Sequence, residues 1–395
     1  MQRMGRPERR PARCWLVLGL LLAAACGIPA AAEPVSTPPA ETVSPTPTAD
    51  APALLSVPTA TPSPTASATA VPATLNPLTG LPIADISLIQ RWPLAMKVSS
   101  YPRTARPQAG LSFADLLFEF YQEAGMTRWH AVFLSQDLEK IGPIRSGRKI
   151  DVPLMKAYQS LLVFCAEYSA TWDYMELQDV RDRLLYVGHP ECPGLCLDES
   201  QIPINGIYAN SYELRKALPV LKIPESVPDL SGMAFQAEPP LMTGGPADTV
   251  RVRFISDFAI AEWRYNPQTG KYYRWSETDK GNGDMAPQTD RLTGEQLSVS
   301  NVIVLYANYL RRQHREIYEL LLYGGGKALI FRDGQAQSGF WRLPNIERPL
   351  QFYGEDGSFQ LKPGVTWIGI VEETSTETQE DGVWKVEFGF TGIGG

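Results

Sequence analysis

Between Arg103 and Asp151 the chain repeatedly sets strong recognition groups beside turns. They are Arg106-Pro107-Gln108, Asp115, Glu119, Thr127-Arg128 and Gly142-Pro143-Ile144-Arg145-Ser146-Gly147-Arg148. A guanidinium is a planar fork of donors that pairs with carboxylate or phosphate through two parallel hydrogen bonds. Arg106, Arg128, Arg145 and Arg148, with Gln108 and Ser146 beside them, therefore form a candidate site for an anionic ligand. Asp115 and Glu119 either orient those arginines or, desolvated, act as acid and base. The competing reading is a buried ion network that fixes the loops and holds no ligand.

Other chemistry is sparse. Gly324-Gly325-Gly326-Lys327 lacks Walker spacing and a following Ser or Thr, so it reads as a turn between strands. The three histidines, His130, His189 and His314, stand far apart in sequence, which argues against a metal site. No cofactor is expected. With no nucleophile–base pair and no metal set in view, the reading leans away from an enzyme. Trp263, Tyr265, Tyr272, Tyr273 and Trp275 flank one hairpin and read as cross-strand packing in preference to a sugar platform.

Alternating strands and helices must position the arginine-bearing turns. Leu94–Val98 reads as a strand, and Leu116–Glu123 and Arg128–Ser135 as two more around Ala124-Gly125. In the first of that pair, Leu116, Phe118 and Phe120 share one face and Glu119 and Tyr121 the other. Asp151–Tyr158 reads as a helix and Ser160–Ala166 as a buried strand. Trp172, Leu177, Val180 and Leu184 suggest an amphipathic helix, and Asn210 with Glu213 caps another. The first domain, 76–238, is thus α/β or α+β. A Pro/Gly-rich stretch over 239–249 reads as the linker. From 250 to 395 the period is two, with hairpin signals at 266–270, Asp333-Gly334 and Asp356-Gly357, so the second domain is mostly β.

The first 25 residues read as a signal peptide, basic from Arg3 to Arg13 and then apolar from Trp15 to Ala25. That run is shorter than the ~20 residues a permanent span needs. Leu22-Ala23-Ala24-Ala25-Cys26 resembles a lipobox, with Ala23 where the usual leucine stands, so Cys26 is expected to carry a lipid. The alternative is secretion after cleavage near Ala32. Residues 26–75 hold eleven prolines between Pro29 and Pro72 among Thr, Ser and Ala, a composition that stays extended as a stalk. The net charge of −7, without a Lys/Arg-rich block after the signal, excludes a nucleic-acid footprint. Beyond the anchor only Cys165, Cys192 and Cys196 remain, which permits one small loop disulfide and one buried thiol.

The chain resembles the YerB-type family of bacterial lipoproteins, built from paired N- and C-terminal domains of unknown function. The resemblance rests on Asn76-Pro77-Leu78-Thr79-Gly80, the stretch from Arg106 through Asp115, Gly125-Met126-Thr127-Arg128 and the stretch from Gly142 through Arg148. It continues through Asn301-Val302-Ile303-Val304, Gly324-Gly325-Gly326 with Phe331, Gly339-Phe340-Trp341 and the run from Lys362 through Ile368. These cover most of the chain after residue 75. The resemblance implies a lipid-anchored envelope protein and no established activity. The chain departs from the pattern at Cys165-Ala166-Glu167-Tyr168-Ser169, where a His- or Gly-rich stretch is expected, and the Cys192–Cys196 loop looks like a local addition. Three functions remain open: binding of a cell-wall fragment or phosphorylated polymer through the arginines, hydrolysis of wall material by Glu119 or Asp115, and scaffolding of another envelope protein at the membrane surface.

Overall fold

The apolar runs fold into strands buried on both faces, the environment that lets a strand be continuously hydrophobic. The protein is represented by a computed structural model, which describes residues 74–123, 125–165, 169–187, 192–221, 223, 226–254, 259–278, 283–311 and 318–389. The expected signal peptide, Cys26, nearly all of the stalk, His189, His314 and residues 166–168 lie outside the described residues.

The first half runs β1 (Leu94–Ser99), β2 (Leu116–Glu123), β3 (Met126–Phe133), α1 (Asp151–Ala157), β4 (Leu161–Cys165), α2 (Ser169–Glu176) and β5 (Leu184–Val187). A short ribbon, β6 (Leu195–Leu197) with β7 (Ile207–Ala209), and α3 (Ser211–Ala217) complete it. The second half opens with β8 (Thr249–Arg253), β9 (Ile260–Asn266), β10 (Lys271–Glu277), β11 (Met285–Pro287) and β12 (Ser298–Val299). Then come β13 (Asn301–Arg311), β14 (Tyr318–Leu321), β15 (Gly324–Arg332), β16 (Gln335–Leu343), β17 (Gln351–Gly354) and β18 (Gly357–Ser358). It closes with β19 (Thr366–Glu372), β20 (Thr376–Glu380) and β21 (Val383–Glu387). The chain is mostly β, with helices described only in the first half.

The two halves share a sheet. Among the described residues its order is β18-β17-β16-β15-β13-β19-β2-β3-β1-β4-β5, with β14 on β13. The seam is a parallel pairing of β19 with β2, in which Trp367 lies opposite Leu117 and Gly369 opposite Glu119. A second sheet, β11-β10-β9-β8-β21-β20 with β12 on β10, comes wholly from the second half. One apolar core joins residues of both halves, including Trp129 of β3, Trp263 of β9 and Trp367 of β19. A smaller core packs Val152 and Met155 of α1 and Met175 of α2 against Leu162 and Phe164 of β4. The 239–249 stretch does not hang free. Gly244 N–H donates to Ala336 (2.9 Å), Ala336 N–H to Gly245 (2.9 Å) and Ala247 N–H to Gly334 (2.8 Å). Just upstream, buried Arg332 donates to the carbonyls of Gln236, Ala237 and Gln360.

Two local readings need correction, and one strand went unread. The amphipathic helix does not extend to Leu184: α2 stops at Glu176, Leu177 is 85% exposed, and Leu184 pairs with Leu162 in the sheet. Parallel pairing with β4 outweighs a helical period carried by four residues. Gly324-Gly325-Gly326-Lys327 is not a turn but the start of β15, paired from Gly324 with Leu343 to Lys327 with Phe340. The strand β20, Thr-Glu-Thr-Gln-Glu, has no apolar alternation to announce it, because it is an exposed edge strand. The Asn210 cap is as read: its side chain accepts from Glu213 N–H at 3.2 Å. Asp333 and Gly334 form their hairpin with φ of 53° and 72°, the pair of positive angles that a tight two-residue turn requires.

Candidate functional site

Strand register decides which polar groups of the first half meet. Lys97 lies opposite His130 and Ser99 opposite Arg128, while Phe118 and Phe120 of β2 flank His130 and Arg128 on the other side. Lys97, His130, Arg128 and the two phenylalanines therefore share one face of the sheet. The start of α1 brings Asp151 to that face. Its Oδ1 accepts from Lys97 Nζ (2.7 Å) and contacts His130 Nδ1 (3.0 Å), and its Oδ2 accepts from Arg148 N–H (2.7 Å). Lys97, His130 and Asp151 are all fully buried.

The arginine-bearing loop closes over this trio. Arg145 N–H donates to Lys97 O (2.8 Å), so the loop continues the hydrogen bonding of β1. Arg128 donates to Ser146 O (2.8 Å), Arg148 to Gly147 O (2.9 Å) and Arg145 to Ile204 O (3.0 Å). Gly147 carries no side chain because a Cβ there would stand 2.9 Å from the Phe164 ring. Arg145, Ser146 and Arg148 remain half-buried, whereas Arg128 is buried.

The electrostatics are those of charges brought close in a dry place. Burial pushes the Lys97 ammonium down to about 8 against the attraction of Asp151, and Arg128 and Arg148 push it the same way as burial. Burial also lowers His130, opposed by its hydrogen bond with Asp151. For Asp151, burial favours protonation, but Lys97 and His130 outweigh it and hold the carboxyl at about 2. Neutral His130 then donates Nδ1–H to Asp151, leaving Nε2 buried with no hydrogen-bond partner among the described residues.

Arg106 and Gln108 belong to a different place. Arg106 pairs with Glu277 of β10 (2.7 Å) and donates to its carbonyl (3.1 Å). Gln108 is fully buried; its amide donates to Ser99 O (2.9 Å) and its oxygen accepts from Gln288 (2.8 Å). Beside it Asp290 accepts from the backbone of Gly110 (3.0 Å) and Ser112 (2.8 Å). These contacts tie the first half to the second sheet, around a cavity of about 210 Å³ lined by Arg106, Glu277 and Gln288.

Asp115 and Glu119 are buried amid donors. Asp115 accepts from Asn76 (2.6 Å), from Leu134 N–H (2.7 Å) and from both Ser135 N–H (3.0 Å) and hydroxyl (2.6 Å). Glu119 faces away from Lys97, toward the second sheet. It takes Thr127 hydroxyl (2.7 Å), Trp367 indole N–H (3.2 Å) and a charge-assisted pair from Arg274 (2.8 Å). The Arg274 guanidinium lies 4.9, 5.3 and 5.8 Å from the rings of Trp129, Trp263 and Trp367, so it is an arginine caged between the sheets.

The hairpin aromatics pack, as read. Trp263 and Tyr272 are fully buried and Arg264 stacks on Trp275 at 3.8 Å. Cys192 and Cys196 form a disulfide, and Cys165 is buried. Among the described residues no three His, Cys, Asp or Glu side chains gather as metal ligands. The sequence reading missed Lys97, His130 and Asp151. The signal was there: a lysine inside the apolar run Leu-Ala-Met-Lys-Val has to find a counter-charge once that strand is central.

Several residues of the family resemblance hold the fold together across long separations. Asn76 meets Asp115, Thr79 O accepts from Gly364 N–H (2.7 Å), and Asn301 exchanges hydrogen bonds with Lys362 (both 2.8 Å).

Comparison with known proteins agrees in both sequence and shape. Residues 78–218 match the family described as "Protein of unknown function (DUF3048) N-terminal domain", and residues 250–368 match the corresponding C-terminal domain. The chain is 29% identical over 322 residues to the "Putative lipoprotein YerB" of Bacillus subtilis (strain 168), covering 77% of this chain and 89% of that one. The crystal structure of the YerB protein from Bacillus subtilis superposes with a TM-score of 0.64 at 25% identity, over 75% of this chain and 96% of that one.

Proposed function

We propose that this chain, which belongs to the DUF3048 family, is an extracytoplasmic lipoprotein whose folded body binds an anionic ligand of the cell envelope. Cys26 is the attachment point, following a signal peptide, and the proline-rich stalk to residue 75 carries the body away from the bilayer. The curated relative is named as a lipoprotein, which supports this address. Replacement of Cys26 by serine is expected to abolish incorporation of labelled fatty acid and to move the protein from the membrane fraction to the soluble one. Unchanged labelling would refute the anchor.

The ligand site of this reading is the loop bearing Arg145, Ser146 and Arg148, with Arg128 beneath it. The observation that carries it is convergence: Arg128 of β3 and Arg148, on a loop held to β1, gather around the same buried Lys97, and Arg128 donates to that loop at Ser146 O. Fixed guanidiniums of that kind favour a carboxylate or phosphate over a neutral group. Arg106 and Gln108 are assigned to the joint between the halves, and Asp115 and Glu119 to the fold, because each already holds a set of internal partners.

The test compares residues 76–395 with an Arg145→Ala/Arg148→Ala variant of the same melting temperature. Muropeptides and polyglycerol phosphate are titrated into each. The variant is expected to bind at least one of them about tenfold or more weakly, a loss of ~1.4 kcal/mol. The difference should shrink as salt is raised past about 0.15 M. Equal affinity in the two proteins would overturn the reading.

A further inference from the structure

A second cavity, of about 290 Å³, opens in the second half where β13, β14 and β15 meet. The Lys149–Glu319 ion pair (3.0 Å) ties β14 to the segment that follows Arg148, but none of the arginines of that loop lines the cavity. Tyr306, Asn308, Tyr323, Lys327, Trp341 and Glu373 line it, together with the backbone of Gly325 and Gly326. The glycines have a reason to be there. A Cβ on Gly326 would stand 2.6 Å from Trp341 Nε1 and 2.7 Å from Tyr306 O, and one on Gly325 would stand 2.6 Å from Trp341 O. The indole occupies that space and donates to Tyr306 O at 2.8 Å. The triple glycine therefore serves to seat a tryptophan and leaves bare backbone at the cavity wall.

The polar groups around the cavity are not arranged for an anion. Lys327 pairs with Glu377, and Tyr306 hydroxyl donates to the same carboxylate at 2.7 Å, so the one lining cation among the described residues already has its counter-charge. Glu373 is exposed and accepts from the Asn308 amide at 3.2 Å. Tyr323 lines the cavity with 62% of its surface in water, a large exposed ring at its edge. Aromatic ring, amide, carboxylate and bare peptide in one concave site match the surface of a sugar, which has an apolar C–H face and a rim of hydroxyl donors. The volume sits at about the lower limit of small-ligand pockets, ~300 Å³, enough for a single ring and not for a chain.

We propose that this cavity binds one ring of an uncharged or amine-bearing saccharide. Tyr323 stacks on its C–H face, and Glu373 and Asn308 take its hydroxyls or amine. The carboxylate disfavours phosphorylated sugars, so the site differs in ligand from the arginine loop and shares none of its arginines. The test uses the full-length chain in detergent, titrated calorimetrically with chitotetraose and with its fully deacetylated tetramer. At least one is expected to bind, and Tyr323→Ala and Glu373→Gln are each expected to weaken it about tenfold. Both positions are exposed, so neither change threatens the fold, and Arg145→Ala should leave the affinity as it was. Failure of both tetramers to bind, or affinity unmoved by both variants, would overturn the proposal.

Discussion

Asp151→Ala is expected to cost about 3–5 kcal/mol of folding stability, because it leaves the Lys97 ammonium buried without its counter-charge. It also strips Arg148 N–H of its acceptor and so loosens the arginine loop at its base. Lys97→Met should cost less, since methionine fills much the same volume and a carboxylate keeps His130 and the backbone as donors. Guanidinium titrations of the three proteins decide it: the expected order of midpoints is wild type, Lys97→Met, Asp151→Ala. An alanine variant within about 1 kcal/mol of wild type would mean that the trio is solvated, contrary to its full burial.

Acid should probe the same trio, and the sign follows from each shift. His130 is held below its ordinary 6.5 by burial, so the unfolded chain takes up the proton first and stability falls as pH drops below about 6.5. Asp151 is held at about 2 against an ordinary 3.8, so the stability it adds is present above about 4 and lost on the way down to about 2. Midpoints measured at pH 7, 5 and 3 should decline in both intervals. In Asp151→Asn the lower decline should flatten; an unchanged slope there would remove Asp151 from the account.

The second large effect is expected at the joint between the sheets. Arg274→Ala removes a caged guanidinium from among three tryptophans and leaves Glu119 buried against Thr127 and Trp367 alone. The loss should be about 3–5 kcal/mol. Glu119→Gln should cost about 1–3 kcal/mol, since one amide end must face a donor. Measured together with the double variant, the pair should show strong coupling, whereas Glu119 and Lys97, on opposite faces of the sheet, should add independently. The same variant bears on hydrolysis by Glu119. Wall fragments that release product with wild type and not with a fully stable Glu119→Gln protein would make this carboxylate an acid or base after all.

What could be read from the residues was what local chemistry dictates. The alternation from Leu116 to Tyr121 placed Glu119 opposite the phenylalanines, and Asn210 announced α3 by its cap. The arginine loop was legible as a loop because Gly142, Pro143 and Gly147 punctuate it. What could not be read was which groups converge. Arg106 lies close to Arg128 in sequence, yet its partner Glu277 is 171 residues away, and no local pattern encodes that choice. Lys97, set inside an apolar run, announced that it needs a counter-charge, but nothing local named Asp151 as that charge; the pair forms only when α1 is laid on β1. The helix read through Leu184 failed for the same reason, since the sheet claimed that residue for β5.

The seam between β19 and β2 has a consequence for how the protein is made. Glu119 and Trp367 bond to each other from positions 248 residues apart. As the chain emerges from the ribosome or from an export channel, β2 waits with one edge unpaired until almost the last strands arrive. An open, apolar strand edge is a template for another chain. The family's two conventional domains are therefore poor units for separate expression. The first cut away from the second would present that edge permanently, and in the cell the interval between synthesis of β2 and arrival of β19 is when a holding chaperone would matter most.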